Sequence, residues 1–282
     1  MYNPKDLPDY PKNLTYSSLK SYEECPLKYY WSYIEKKKPK IPENSYYAIC
    51  GIAKQRLFEH FYNDMWYLKR DKCISFMEEQ APKVFDECLK TSPVLWEASI
   101  AKKSKDELVA EVKDGVRKGI KIIKDHKFLT EESKSEIKLV AKLDKWIEVV
   151  GRVDFIIRFK DKTGWILDGK DTVDKNKMKD VDPRQLWVYS FLYEGCYGKL
   201  PEKVGFMFWR HDTVLYYDPK EGIEQVKEWI KTTYWNIKNK KFDPKPSDSN
   251  CFFCKFKLEC DAYKALSGSK DVPFGGVTET SF

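Results

Sequence analysis

Apolar residues recur at four-residue spacing at Leu57, Phe61 and Met65 and again between Val109 and Ile123, which predicts amphipathic helices over most of 49–126. Ahead of them, Ser17 and Ser18 are expected to cap a short helix through Glu24. Pro26 suits the first turn of a second helix carrying Tyr29, Tyr30, Tyr33 and Ile34. The basic loop Lys36 to Lys40 ends that pair, and Thr91-Ser92-Pro93 interrupts the longer helical stretch. After Thr130 the period falls to two: Ile137, Leu139 and Ala141 alternate with other residues, several of them charged, and Val149 to Phe159 is rich in β-branched and aromatic side chains. Gly164 to Asp168 gives a third strand beyond the polar turn Lys160-Asp161-Lys162-Thr163, so 147–170 reads as an antiparallel hairpin. Asp182-Pro183 opens a helix to about Glu194, with Asp as cap and Pro in the first turn. Val204 to Trp209 and Val214 to Tyr217 are two further strands, and 220–238 a last helix.

Helices, three strands, helix, two strands, helix is the order of an α/β fold, a mixed central sheet flanked by helices with an N-terminal helical insertion. The expected organisation is a single domain over 1–266. It has a helical lobe at about 50–130, an α/β core at about 131–240, and a cysteine-bearing segment at 250–262 joined to Cys25. Residues 267–282 are expected to be a flexible tail.

Composition refines this only slightly. A chain of 282 residues, 42% hydrophobic, can bury a large core, and 51 Lys and Arg against 44 Asp and Glu favour acidic partners without identifying one. No apolar run reaches the length of a membrane span, and Met1 to Asp6 lacks the pattern of a secretion signal, so an intracellular protein without membrane contact is expected. The eight cysteines are then read for metal chemistry rather than disulfides. Cys50, Cys73, Cys88 and Cys196 stand singly in apolar or helical surroundings and are expected to be small buried side chains. Cys251, Cys254 and Cys260 form C-x2-C-x5-C.

Two residues apart on a strand, Asp168 and Lys170 project to the same side. Across the hairpin, Asp154 stands among Val153, Phe155, Ile156 and Ile157, where an acid needs a compensating partner. Two carboxylates aimed at one spot repel unless a cation lies between them, and hard ions such as Mg²⁺ or Mn²⁺ prefer such oxygen ligands. A metal so held lowers the pKa of a bound water and stabilises charge on a phosphoryl oxygen, which is the chemistry of phosphodiester hydrolysis. Taken alone, D-x-K more often marks a surface ion pair. Gln185 and Tyr189, four apart on one helical face beside Arg184, add groups able to hydrogen-bond a phosphate backbone.

Together these residues resemble the PD-(D/E)XK nuclease superfamily, in particular its RecB-like branch, which includes the CRISPR-associated RecB-like exonucleases and the AddB nuclease domain. The Gly-x-x-Asp strand is Gly151 to Asp154, the (D/E)-x-K strand Asp168 to Lys170, and the Gln-x-x-x-Tyr helix Gln185 to Tyr189. The resemblance implies that Asp154 and Asp168 hold the metal with the backbone carbonyl of Gly169, that Lys170 is the catalytic lysine, and that Gln185 and Tyr189 contact DNA near the scissile phosphate. Where the family carries Gly followed four residues later by a metal-binding His, this chain has Gly51 and Gln55, whose carboxamide oxygen is a weaker ligand. His60, five residues further on, is expected to be a helix-surface or packing residue, as are His126 and His211.

Three clustered cysteines plus a distant one suit a cubane iron-sulfur cluster better than a zinc knuckle built from two C-x2-C pairs, and the candidate fourth ligand is Cys25. Iron-sulfur members of the RecB-like branch carry one cysteine before the nuclease core and three after it. The resemblance therefore implies a [4Fe-4S] staple on Cys25, Cys251, Cys254 and Cys260, with zinc the alternative and Phe252, Phe253 and Phe256 as shielding. The expected activity is a Mg²⁺- or Mn²⁺-dependent DNA exonuclease acting on single strands or free ends, with protein partners in a repair, recombination or replication complex. Lys36 to Lys40, Lys175, Lys177 and Lys179 are candidate backbone contacts. The alternative is a catalytically weak or inactive DNA-binding or assembly subunit that keeps the nuclease fold.

Overall fold

A computed structural model describes residues 11–39, 46–91, 103–130, 132–159, 163–172, 174–252 and 254–267. Lys40, the Ser92-Pro93 break, residues 160–162 of the polar turn, Phe253 and the tail beyond 267 lie outside the described residues.

The chain begins with α1 (Tyr16–Glu24) and α2 (Pro26–Tyr29), the latter running into a π-helical turn at Tyr30–Ile34. The cap of α1 is Thr15 rather than Ser17 or Ser18. Thr15 Oγ1 accepts from the Ser18 amide at 3.1 Å and Ser18 Oγ accepts from the Thr15 amide at 2.9 Å, a reciprocal capping box in which Ser18 is the inner partner. Next come α3 (Tyr46–Asn63), a 3₁₀ segment at Trp66–Lys72, α4 (Cys73–Thr91) and α5 (Lys105–Asp125). The sheet follows with β1 (Lys134–Lys142), β2 (Glu148–Arg158) and β3 (Gly164–Lys170). Then come α6 (Arg184–Tyr197), β4 (Lys203–Phe208), β5 (Thr213–Tyr217) and α7 (Ile223–Lys238). Pro183 occupies the N-cap position of α6, and Asp182 Oδ1 accepts the Arg184 amide at 3.0 Å from one residue further out. Two short helices, α8 (Asp248–Phe252) and α9 (Asp261–Ser267), close the described chain.

Strand order in the sheet follows chain order, β1 to β5. Neighbours run antiparallel except β3 and β4, which are parallel because α6 carries the chain between them. Each sheet face is covered by helices. On one, Val149, Val153, Ile166 and Phe206 pack with Leu186 and Leu192 of α6 and Val226 and Ile230 of α7. On the other, Phe155, Ile157, Leu167 and Met207 pack with Leu57 and Phe58 of α3, Phe85 of α4 and Val112 of α5. The helical stretch α3 to α5 thus covers one face of the sheet and α6 and α7 the other. Phe58 and Trp209 stack there at 4.4 Å between ring centroids, each buried ring contributing about 2–3 kcal/mol.

Cys50, Cys73 and Cys88 are buried, whereas Cys196 is exposed because the last turn of α6 leaves the core. No helix among the described residues is long and apolar enough to cross a membrane.

Candidate active site

The β1–β2 turn fixes what faces what. Asp144 Oδ1 accepts the amides of Trp146 at 2.7 Å and Ile147 at 2.9 Å, and the first ladder pair beyond this turn is Lys142 with Glu148. Counting along the ladder, Ile137 pairs with Val153 and Ser135 with Phe155, which sets Glu136 opposite Asp154. The β2–β3 ladder ends at Phe155 with Leu167, so the following step sets Asp154 opposite Asp168. Three acids therefore stand in one row across three adjacent strands.

The sheet is irregular along that row. Glu136 has φ 57°, a left-handed conformation that costs a residue with a Cβ about 1–2 kcal/mol. Side-chain alternation slips as well, since Val153 packs in one core and Phe155, two residues on, in the other. The amide of Gly169 donates to Asp154 Oδ2 at 2.9 Å in place of a ladder partner. A Cβ on Gly169 would come within 2.3 Å of the Trp209 indole, and one on Gly151 within 2.5 Å of Leu192 Cδ1. Gly151 thus lets α6 settle onto β2, bringing Gln185 and Tyr189 over the row.

Lys170 Nζ lies 2.6 Å from Asp168 Oδ2 and donates to Gln185 Oε1 at 2.8 Å. Gln185 Nε2 donates to Asp168 Oδ1 at 2.8 Å and to the Tyr189 hydroxyl at 3.0 Å. One amide thereby ties together the second acid, the lysine and the tyrosine. Gln55, on α3, donates from Nε2 to Glu136 Oε1 at 2.6 Å and to Asp154 Oδ1 at 2.8 Å. The residues read from the sequence converge, and Glu136 joins them. Its signal was the hairpin register, which an alternation pattern along one strand does not carry.

Burial pushes Asp154 well above the usual carboxylate range, and the neighbouring charge of Asp168 adds to it, against the pull of the Gly169 amide. Burial also raises Asp168, opposed by Lys170, and raises Glu136, opposed by the Gln55 hydrogen bond. Tyr189 is raised by burial and then by both aspartates. Asp168 Oδ2 is buried, and its partner is the Lys170 ammonium 2.6 Å away. Crowded, buried carboxylates opposed on adjacent strands fit a hard divalent cation. Among the described residues no three His, Cys, Asp or Glu side chains already stand in metal-holding geometry. The Gln55 amide nitrogen bridges Glu136 and Asp154 instead, so a cation there needs the amide to turn its oxygen inward.

A half-buried ionic network around the buried Lys54 braces the site from behind. Lys54, next to Gln55 and 0% exposed, donates to Asp171 Oδ1 at 2.5 Å, and Asp171 follows Lys170 in the chain. Arg210 donates to the same Asp171 oxygen at 3.0 Å and to Glu111 at 2.8 Å, pinning α5 to the ends of β3 and β4. Sequence reading gave these four residues no role, because their partners are far apart in the chain.

Arg184 faces away from the acids. Its guanidinium donates to both Glu23 oxygens at 2.8 and 2.7 Å and to Asp182 at 2.7–3.1 Å, and lies 4.3 Å over the Trp229 ring. Beside the site, Thr15, Tyr16, Ser17, Lys138, Arg152 and Tyr189 help line a cavity of about 420 Å³. Lys36, Lys38, Lys175, Lys177 and Lys179 are exposed, whereas Lys37 pairs with Glu259 at 3.2 Å and covers Trp31. His60 is at the surface, bonded to Asp64 at 2.6 Å and stacked on Trp66. His126 meets the Tyr216 hydroxyl and His211 the Thr172 carbonyl.

Cys25, at the α1–α2 junction, lines one cavity of about 20 Å³ with Cys251, Cys254, Cys260 and Trp31. Burial raises the thiols of Cys251 and Cys254. Phe256 is fully buried against Trp31, while Phe252 is half exposed.

A family model described as the PD-(D/E)XK nuclease superfamily matches residues 13–261. No curated protein matches. A solved structure described as "Crystal structure of SSO0001" is 17% identical, over 56% of this chain and 77% of that one, with a TM-score of 0.36, too slight a likeness to bear on fold or function.

Proposed function

Since the chain belongs to the PD-(D/E)XK nuclease superfamily, we propose that it is a Mg²⁺- or Mn²⁺-dependent DNA nuclease, an exonuclease acting on single strands or free ends. The observation that carries this reading is the convergence of Asp154, Asp168 and Lys170 under the Gln185–Tyr189 face of α6. Asp154, Asp168 and the Gly169 carbonyl would hold the metal, with Gln55 a further ligand once its amide turns. A divalent ion held there supplies an activated water and stabilises charge on the phosphoryl oxygen.

The chain's own groups do the rest. Lys170, held between Asp168 and Gln185, presents an ammonium beside the phosphate to offset charge that grows in the transition state. Gln185 and Tyr189 bind and orient the backbone next to the scissile bond, and Lys138 and Arg152 in the adjoining cavity attract the neighbouring phosphates.

The RecB-like, iron-sulfur form of the fold is part of the same proposal. Its support is that Cys25 lines a single cavity with the three late cysteines, so that a cluster there would fasten the two ends of the chain. A catalytically weak DNA-binding or assembly subunit is the second reading. It is favoured by Gln55, whose nitrogen rather than oxygen faces the acids.

The test compares wild type with Asp154→Ala and Lys170→Ala on labelled single- and double-stranded DNA with Mg²⁺ or Mn²⁺. Wild type is expected to degrade single strands from an end, and both variants to be at least 100-fold slower, as loss of a charge-stabilising group requires. Binding without cleavage by wild type establishes the second reading. Equal cutting by wild type and both variants overturns the site.

A further inference from the structure

We propose that a groove along α1 is the track of a nucleic-acid single strand on its way to the active site, with Lys20, Lys28 and Lys255 on its phosphates and Tyr33 under one of its bases. The inference rests on the nuclease reading above and assigns residues outside the motifs that carry the resemblance.

Continuity is the first ground. The cavity of about 420 Å³ beside Tyr189 meets a second, of about 520 Å³, at Tyr16 and Ser17, which line both. From there the second cavity follows one face of α1, where Ser17, Lys20, Ser21 and Glu24 recur at helical spacing, and runs on to Lys28, Tyr33 and Lys255. The nine residues of α1 extend about 13 Å, while a strand advances about 3.4 Å per phosphate when stacked and further when drawn out, so the groove has room for about two to four nucleotides.

Charge is the second. Among the described residues, the two joined cavities set Lys138, Arg152, Lys20, Lys28 and Lys255 against one acid, Glu24. A larger cavity of about 870 Å³ lies at the start of β4, whereas Lys170 pairs with Phe208 at the other end of that strand. Its balance is reversed, with Glu194, Glu202 and Asp218 against Lys203 and Lys220. The positive surplus belongs to the route that leads to the acids, and a polyanion complements it. Asp182 holds Lys20 at 3.1 Å and Glu24 holds Lys28 at 2.9 Å, which fixes both ammonium groups on the groove wall and leaves each with further donors for a phosphate.

Aromatic geometry is the third. Tyr33 is 43% exposed, and one face of its ring is stacked on buried Tyr29 at 5.0 Å and 25°, which Tyr22 in turn braces edge-on. Within the π-helical turn at Tyr30–Ile34, Ser32 and Tyr33 both reach the cavity wall. A ring backed on one side offers its other face to a planar ligand, and a nucleic-acid base can take it only when unstacked from its own neighbours. That selects a single strand over a duplex. Lys255 follows Cys254 directly, so the cysteine segment delivers one of the cations to the track.

Fluorescence anisotropy with labelled oligo(dT) in EDTA measures the track without hydrolysis. Wild type is compared with Lys20→Ala, Lys255→Ala and Tyr33→Leu. Lys220→Ala, in the acidic cavity, removes the same charge elsewhere, and melting temperature is the folding check; where one groove variant does not fold, the other two decide. Each lysine variant of the groove is expected to bind more weakly and to flatten the dependence of log Kd on log salt by about 0.7, the weight of one single-strand phosphate contact. Tyr33→Leu is expected to bind at least about fivefold more weakly at an unchanged salt slope, because it removes stacking and no charge. Folded groove variants that bind as wild type does, or lose no more than Lys220→Ala, overturn the track and leave the two-aspartate site standing. A blunt duplex bound as tightly as oligo(dT) overturns the single-strand assignment. Failure of wild type to bind any nucleic acid overturns the nuclease reading and this proposal with it.

Discussion

Replacing Asp154 by Asn is expected to stabilise the metal-free protein while ending its activity. Asp154 is 7% exposed and stands one strand from both Glu136 and Asp168. Adjacent strands lie about 5 Å apart, and at an effective dielectric of about 20 a like-charge pair at that distance repels by about 3 kcal/mol. Lys170 offsets part of this. Asparagine can accept from only one of the two donors, Gly169 and Gln55, that Asp154 satisfies, a loss of about 1 kcal/mol. The net gain is about 1–2 kcal/mol, which for a chain of this size raises the melting temperature by about 3–6 °C. Its pH dependence has a definite sign. The folded pKa of Asp154 lies above the unfolded value of about 4, so wild type loses stability as pH rises from there through the folded pKa. The Asn variant does not share that loss. Its advantage in EDTA is therefore full above the folded pKa of Asp154 and vanishes at about pH 4 and below. Excess Mg²⁺ then reverses the order, because ligand binding raises the wild type alone. Thermal denaturation in EDTA and in Mg²⁺ across this range measures all three effects. A variant that melts no higher than wild type at the alkaline end in EDTA refutes the electrostatic reasoning.

Arg184→Ala is expected to cost about 2 kcal/mol by releasing Glu23 and Asp182, with a larger effect on urea denaturation than on DNA affinity. Against burial, which pushes it up, hydrogen bonds from Arg184 hold Asp182 down at about 2. That stabilisation is present above the unfolded pKa of about 4 and is lost as pH falls through about 2, roughly 1 kcal/mol after allowance for solvent screening. The variant should show a flatter acid limb; weakened DNA binding at unchanged stability would instead return Arg184 to the substrate. For the cysteines, wild type purified without oxygen should be brown with iron and labile sulfide, and Cys25→Ser should lose both and melt lower. A colourless protein rich in zinc would sink the iron-sulfur assignment.

Much of the architecture was legible in local pattern. Four-residue apolar spacing marks α3 and α5, two-residue alternation marks β1, and the strand and helix order gives the mixed sheet. Asp168 and Lys170 share a side because strands alternate, and Gln185 and Tyr189 share a face because helices repeat every 3.6 residues. These are properties of one element at a time, fixed by the geometry of a few consecutive residues.

What needed the tertiary structure is whatever joins elements. Glu136 acquires meaning only from a register set by the β1–β2 turn, and the slip in alternation at Asp154 only from two cores on opposite sheet faces. Arg184, which adjoins Gln185 in sequence, is held by Glu23 from 161 positions away. Lys54, Asp171, Arg210 and Glu111 come from separate parts of the chain and meet in one half-buried network. The sequence by itself determined which chemical groups are present and which face of its own strand or helix each would take. The fold decided which groups share a charge environment. Backbone periodicity is local, whereas strand register, packing and Coulomb interaction act across space between residues the chain keeps far apart.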